Sequence, residues 1–312
     1  MPQNQTTLEF PLRRPYDRPE GYYVTHPNGQ VSHYYLDSFV DPWLPEEEKP
    51  VIILNHGCAR TADMWYSWVP RLARHFVVIR RDSRGHGKSS FPKRLSPWSD
   101  QQNNVYEGGY QWDLDTMLYE IVDMLDQLNI KRVIFLGEAT SGEMGHAFAA
   151  KYPERTIALI TCSTPTSLPP AAIKMFAVEE SSWPEAVIKH GSRGWNERLA
   201  RNPGTLPKDP VYLEWLLDEA AKTKKEGLAG YVIFLTHLTS RPWLKNIKSP
   251  YLILAPTNST AVPLSESRWI SEQVSGSKIV EIEAPGHEIF SEATDRCIDA
   301  VLEFLAELNM AI

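Results

Sequence analysis

Four short stretches of this chain set chemically capable residues among turn-forming ones. The first is Gly137-Glu138-Ala139-Thr140-Ser141-Gly142, which follows the apolar run Ile134-Phe135-Leu136 and opens a helical pattern. A strand that turns sharply into a helix, with small residues flanking the apex, is the frame of a nucleophile elbow, G-x-S-x-G. Gly137 and Ser141 meet the size requirement and Gly142 permits close helix packing, so the apex falls on Ala139. An alanine there carries backbone strain of about 1–3 kcal/mol without supplying a hydroxyl. The reading adopted is a serine-to-alanine replacement, the usual way to trap an uncleaved substrate. One rival is a natural protein that has abandoned nucleophilic catalysis. Another shifts the register to make Ser141 the nucleophile, and this leaves Gly137 four residues upstream.

The second stretch, Asn55-His56-Gly57-Cys58-Ala59-Arg60, leaves the apolar run Pro50–Leu54. In such a position the backbone N–H of Cys58, paired with that of Thr140, is expected to hold a developing oxyanion. The Cys58 thiol reads as a small buried group and His56 as a structural hydrogen-bonding residue. In the third, Arg81-Asp82-Ser83-Arg84-Gly85-His86-Gly87-Lys88-Ser89, the spacing is not that of a phosphate-binding loop. Asp82 and Arg84 are expected to brace the loop while the glycines turn it. The fourth is Glu283-Ala284-Pro285-Gly286-His287-Glu288. His287 lies after the elbow and near the C-terminus, where this architecture keeps its general base.

The elements that must position these groups follow from periodicity. Gly21 to Phe39 alternates as an antiparallel pair around the turn Pro27-Asn28-Gly29. Pro50–Leu54, Phe76–Ile79, Val133–Leu136, Ile157–Ile160 and Tyr251–Leu254 are continuous apolar runs of the kind buried on both faces of a parallel sheet, and Ile279–Ile282 is a weaker one. Leu114–Leu128 and Asp295–Leu308 carry helical spacing. The expected organisation is a short N-terminal arm over 1–20, a core over 21–164 and 246–312, and a helical cap over 165–245. Phe91–Gly109 reads as a long polar loop. Phe176, Trp183, Trp195, Tyr231 and Trp243 in the cap, with Trp65 beyond the oxyanion loop, are candidates for an apolar pocket. Trp65 is the favoured single choice, and most of the others are expected to pack as core.

A net charge of −7 without a basic run argues against nucleic acid as a partner. No stretch approaches the ~20 apolar residues that cross a bilayer. Three scattered cysteines, Cys58, Cys162 and Cys297, suggest neither a disulfide framework nor a zinc site. MPQNQTTLEF has neither the basic nor the apolar region of a signal peptide. The expectation is a cytoplasmic protein without metal or organic cofactor. The oligomeric state is left open, with a homodimer as the candidate.

Taken together, LNHGCARTADMW, RRDSRGHGKSS, FLGEATSGEMG, KYPER and APGHEIF resemble the α/β-hydrolase superfamily, more narrowly its lidded carboxylesterase, enol-lactonase and C–C hydrolase branch. The resemblance spans about residues 20–308 apart from the cap. It implies a mostly parallel eight-stranded sheet flanked by helices, with a helical lid. It implies the hydrolysis of a carboxylic ester or lactone with an apolar body through a serine at position 139, with His287 as base. The triad acid departs from the pattern. Counting forward from Ala255 puts the acid position at Asn258, counting back from Pro263 puts it at Ser259, and the alternative position after Ile160 reads Thr161-Cys162-Ser163-Thr164. Asn258 or Ser259 would orient the imidazole through a neutral hydrogen bond, and Glu138 is a second candidate as well as a polar wall residue. Two other functions stand beside the hydrolase. One is a ligand-binding homologue with Ala139 native. The other is cofactor-free C–C hydrolysis or a lyase reaction with His287 as base.

Overall fold

A computed structural model describes residues 20–41, 43–45, 49–100, 102–109 and 111–310. The arm expected over 1–20 lies outside these residues except for Glu20. The chain opens with an antiparallel pair, β1 (Tyr22–Thr25) and β2 (Val31–Asp37), in the register Tyr22↔Tyr34. Gly29, at φ 81°, turns between them where an L side chain would be strained. Parallel strands follow: β3 (Val51–Asn55), β4 (Val77–Arg81), β5 (Val133–Glu138), β6 (Thr156–Cys162), β7 (Tyr251–Pro256) and β8 (Lys278–Ile282). They form one eight-stranded sheet in the order β1-β2-β4-β3-β5-β6-β7-β8. β2 meets β4 antiparallel, and every pairing from β4 to β8 is parallel.

Both faces of the sheet are buried, which is why the central strands read as unbroken apolar runs. Successive side chains alternate between faces. Ile53, Phe135 and Leu159 therefore join one core layer, while Ile52, Leu54, Ile134 and Leu136 join the other. The second layer is covered by α1 (Val69–Leu72) and, from the far end of the chain, by α10 (Thr294–Glu307). The first is covered by α2 (Leu114–Gln127) and α3 (Thr140–Lys151). The Asp113 side chain caps α2 by accepting from the Thr116 N–H at 2.9 Å.

Between β6 and β7 the chain makes α4 (Pro170–Phe176), α5 (Trp183–Leu199, broken at Gly191 with φ 70°), α6 (Pro210–Ala221), α7 (Lys225–His237) and a 3₁₀ turn over Arg241–Asn246. The two ends of this insertion are joined. Ser167 and Thr239 form an antiparallel bridge, and the Ser240 N–H donates to the Thr166 carbonyl at 2.8 Å. After β7 come α8 (Leu264–Gln273) and, beyond β8, α9 (Ile289–Glu292). In the polar loop expected over Phe91–Gly109, Arg94 bridges to Tyr106 and its guanidinium donates to the carbonyls of Ser96, Pro97 and Asp100. One half-buried cation thus gathers backbone acceptors that would otherwise face water singly. No helix among the described residues is long and apolar enough to cross a membrane.

Candidate active site

The sharp corner lies where β5 gives way to α3. Ala139 has φ 49° and ψ −121°, a conformation that disfavours any residue with a Cβ. The corner is held by the Ala139 N–H, which donates to the Cys162 carbonyl on β6 at 2.9 Å, and by the Gly142 N–H, which donates to the Ala139 carbonyl at 2.9 Å. Its tightness explains the glycines. A Cβ on Gly137 would stand 2.6 Å from the Ser141 carbonyl oxygen, and one on Gly142 would collide with the Thr164 side chain. Ser141 is fully buried and its hydroxyl donates to the His56 carbonyl. That hydroxyl is engaged in joining α3 to the loop after β3, so the register that would make Ser141 the nucleophile is corrected.

The loop after β3 passes directly over this corner, since a Cβ on Gly57 would come within 3.1 Å of the Ala139 Cβ. Two histidines fix it. His56 Nδ1–H donates to the Gly57 carbonyl at 2.7 Å while Nε2 accepts from the Ser83 N–H at 3.0 Å. His86 Nε2 accepts from the Ala59 N–H at 3.1 Å. Burial, as the dominant cause, holds these rings neutral, with pKa values lowered to about 4 for His56 and about 3 for His86. Asp82 and Arg84 brace the loop after β4. The Asp82 carboxylate accepts from His33 Nδ1–H at 2.7 Å, the Ala62 N–H at 2.7 Å and the Lys88 N–H at 3.0 Å. Arg84 pairs with Glu120 at 2.6 Å.

Cys58, Glu138, Ala139, Thr140 and His287 border one cavity enclosing about 750 Å³ of empty space, its mouth included. Thr140 is the first residue of α3, so its N–H has no acceptor within the helix. Burial pushes the Cys58 thiol up, out of the range of a thiolate nucleophile. His287 is seated by its own backbone, because its carbonyl accepts from the Ser163 hydroxyl at 2.7 Å and from the Ile289 N–H at 3.0 Å. Its Nδ1 lies 3.0 Å from Ser259 Oγ. Burial, aided by the nearby Arg60 cation, lowers its pKa to about 4.

Of the two candidates for the acid position, Ser259 meets the imidazole. Asn258 does not: its side-chain amide donates to the Ala284 carbonyl at 2.9 Å and ties the β7 loop to the β8 loop. Glu138 does not hold the ring either. Its Oε2 accepts from the Gly57 N–H at 2.6 Å, and burial raises its pKa to about 7, opposed by Arg60. Three of the aromatic pocket candidates lie outside the cavity wall. Trp65 is fully buried against Trp68 and Phe290 and takes no part in the cavity wall, because the short 3₁₀ turn at Ala62–Trp65 points it into the core. Trp243 lies outside the cavity, with the Lys151 ammonium 4.7 Å above its ring. Tyr231 likewise packs in the core, edge-on to His86. Trp183 does line the cavity, stacked on Trp195 with Phe176 beside it.

Sequence reasoning missed much of the wall, including Met175, Leu199 and Leu206 from the insertion, Val262 after β7, and Arg60, which pairs behind the wall with the buried Glu288. Arg60 and Glu288 are 228 positions apart, and the only signal in the sequence was that each adjoins a motif carrying a site residue. Asn196 is a further polar group in this apolar wall. Its amide nitrogen donates to the Ser192 carbonyl at 2.9 Å, and its amide oxygen has no partner among the described residues.

The parallel sheet, the corner on β5 and the histidine after β8 define an α/β protein with a hydrolase-like site. The chain belongs to the alpha/beta hydrolase fold family, whose profile matches residues 50–294. It is 24% identical over 243 residues to 3-oxoadipate enol-lactonase 2 of Acinetobacter baylyi, covering 77% of this chain and 82% of that protein. It is also 24% identical over 275 residues to the bifunctional esterase/perhydrolase of Acinetobacter calcoaceticus, covering 83% and 87%. In structure it is similar to the enol-lactonase from Burkholderia xenovorans, with a TM-score of 0.71 at 24% identity over 91% of this chain and 100% of that one.

Proposed function

We propose that the cavity is an acyl site for a carboxylic ester or lactone with an apolar body. The substrate carbonyl oxygen is received by the N–H groups of Cys58 and Thr140, and its body lies against Met175, Phe176, Trp183, Trp195 and Leu199. With a serine at position 139, the hydroxyl would attack the carbonyl carbon and pass its proton to His287. The acyl-enzyme would then be released by water activated by the same imidazole. With Ala139 in place, the chain binds such a ligand and does not form the acyl-enzyme. The observation that carries this reading is the strained φ of 49° at a residue with nothing but a methyl group, in a cavity shared with His287. A backbone held in that conformation is normally kept for the group it presents.

The test is Ala139→Ser, assayed on p-nitrophenyl esters of increasing acyl length and on a lactone panel. Measurable turnover above the parent chain is the expected result, and a chain inert on every acyl substrate both as Ala139→Ser and as Ala139→Ser, Ser259→Asp overturns the reading. A second reading, a ligand-binding protein in which Ala139 is native, draws on the hydroxyl that stands at Ser259 beside His287 where a triad has a carboxylate. It expects a ligand that binds tightly and is recovered unchanged.

A further inference from the structure

We propose that Ser259 is a positioning residue that holds His287 as the Nε2–H tautomer, so that the cavity meets a hydrogen-bond donor at the place where a hydrolase base presents a lone pair. The argument rests on counting the bonds around one oxygen. A serine hydroxyl offers one proton and two lone pairs. Ser259 Oγ accepts from two backbone groups, the Ala261 N–H at 3.2 Å and the Val262 N–H at 2.9 Å. Both lone pairs are thereby used, and the remaining neighbour within hydrogen-bond distance is His287 Nδ1 at 3.0 Å. If Nδ1 carried the proton, three donors would converge on Oγ and the hydroxyl proton would have no acceptor there. With the hydroxyl donating, all four groups are satisfied. Nδ1 is then the acceptor, and in a neutral ring the proton resides on Nε2. The neutral ring is the form this environment favours, through burial and the adjacent Arg60.

This inference rests on the acyl-site reading above and sharpens its ligand. The N–H groups assigned to Cys58 and Thr140 and the Nε2–H of His287 then face one cavity as donors. The matching ligand presents an acceptor oxygen, such as an ester or lactone carbonyl, at the end of an apolar body. It also explains how an intact-looking histidine accompanies an alanine. In its favoured tautomer His287 donates to oxygen, so a serine restored at position 139 loses its proton only through the minor Nδ1–H tautomer, and that chain turns over measurably but slowly.

The decisive measurement is a long-range proton–nitrogen correlation spectrum of the ¹⁵N-histidine-labelled full chain at pH 7, with His287 assigned from the signals lost in His287→Gln. The expected result is a pyridine-type Nδ1 and a pyrrole-type Nε2. Ser259→Thr keeps this pattern, and Ser259→Ala moves both shifts toward a tautomer average. Ser259→Asp inverts the pattern. A pyrrole-type Nδ1 in the parent chain, or a pattern unmoved by Ser259→Ala, overturns the proposal. Should the Asp variant fail to fold, the parent, Thr and Ala spectra still decide it. The readout requires no substrate, so its failure is distinct from an inert Ala139→Ser, Ser259→Asp chain, in which the Nδ1 partner is a carboxylate and which bears on the acyl-site reading alone.

Discussion

His26 and His287 each bond a serine side chain, and of the two only His287 borders the main cavity. At the N-terminal hairpin Ser32 Oγ lies 2.8 Å from His26 Nε2, and His26 Nδ1–H donates to the Asp123 carboxylate at 2.7 Å. This is a complete Ser–His–Asp relay. Yet Ser32, on β2, is 3% exposed and His26, just after β1, 2%, and neither borders the main cavity. At the C-terminal ends of the parallel strands the reverse holds: cavity, corner and helix N-terminus are all in place, but the relay reads Ala139, His287, Ser259. A relay of three side chains is thus ordinary structural bonding unless a substrate can reach it and donors await the charge that develops. The two rings differ in a second respect. A carboxylate only accepts, so Asp123 holds a proton on His26 Nδ1. Ser259, already accepting twice, fixes it on the opposite nitrogen of His287.

The comparison can be broken by giving His287 what His26 has. The double variant Ala139→Ser, Ser259→Asp should turn over a p-nitrophenyl ester about 10²–10⁴-fold faster than Ala139→Ser alone, the range spanned when a triad imidazole is held in the wrong or the right tautomer. Equal rates would mean that the partner of Nδ1 does not limit the site. The converse is His26→Ala, which removes a bond to a charged partner and leaves Asp123 half satisfied. Urea denaturation should show a loss of about 2–3 kcal/mol, with ligand affinity or revertant activity unchanged. A change in substrate KM would show instead that the hairpin communicates with the cavity.

A smaller effect separates the carboxyl at the corner from both relays. In the folded chain Glu138 keeps its proton up to about pH 7, whereas its ordinary value is 4.5. The folded state therefore binds more protons in that window. The contribution is fully present below 4.5 and is lost as the pH rises toward 7. Glu138→Gln should remove this decline, seen as a flatter Tm–pH curve between those limits. A curve parallel to that of the parent would place the carboxyl outside the titrating set. The smallest effect belongs to Asn258→Ala. It deletes one hydrogen bond, to the Ala284 carbonyl, and should cost about 0.5–1.5 kcal/mol while leaving the His287 nitrogen shifts unmoved.

What was legible in the sequence follows from how tightly local geometry constrains composition. β3, β5 and β7 are buried on both faces, so their runs admit nothing but apolar residues until the last position or two. The corner at Ala139 was legible because close approach at Gly137 and Gly142 forbids a Cβ at fixed offsets. The loop after β7 was legible only to within one residue. Asn258 and Ser259 are neighbours with different tasks, and counting from either end could not choose between them, since the choice is made by which side chain meets the imidazole and which the Ala284 carbonyl. Trp65 and Trp183 were not distinguishable either. Both are bulky aromatics near a motif, and their orientation is set by a 3₁₀ turn in one case and a capped helix in the other. The cavity wall was the least legible, because Met175, Leu199 and Leu206 come from separate parts of the insertion and from no single period.

The bridge between Ser167 and Thr239 has a consequence for how such a protein diversifies. The β6 exit and the approach to β7 are clasped at one stem, so the helices beyond it hang from a closed loop whose ends are set by the sheet. Insertions, deletions or wholesale exchange of α4, α5 and α6 leave the spacing of that stem unchanged, and with it the corner at Ala139 and the seat of His287. Ligand preference and site geometry can therefore drift separately, one in the hanging loop and the other in the sheet that carries it.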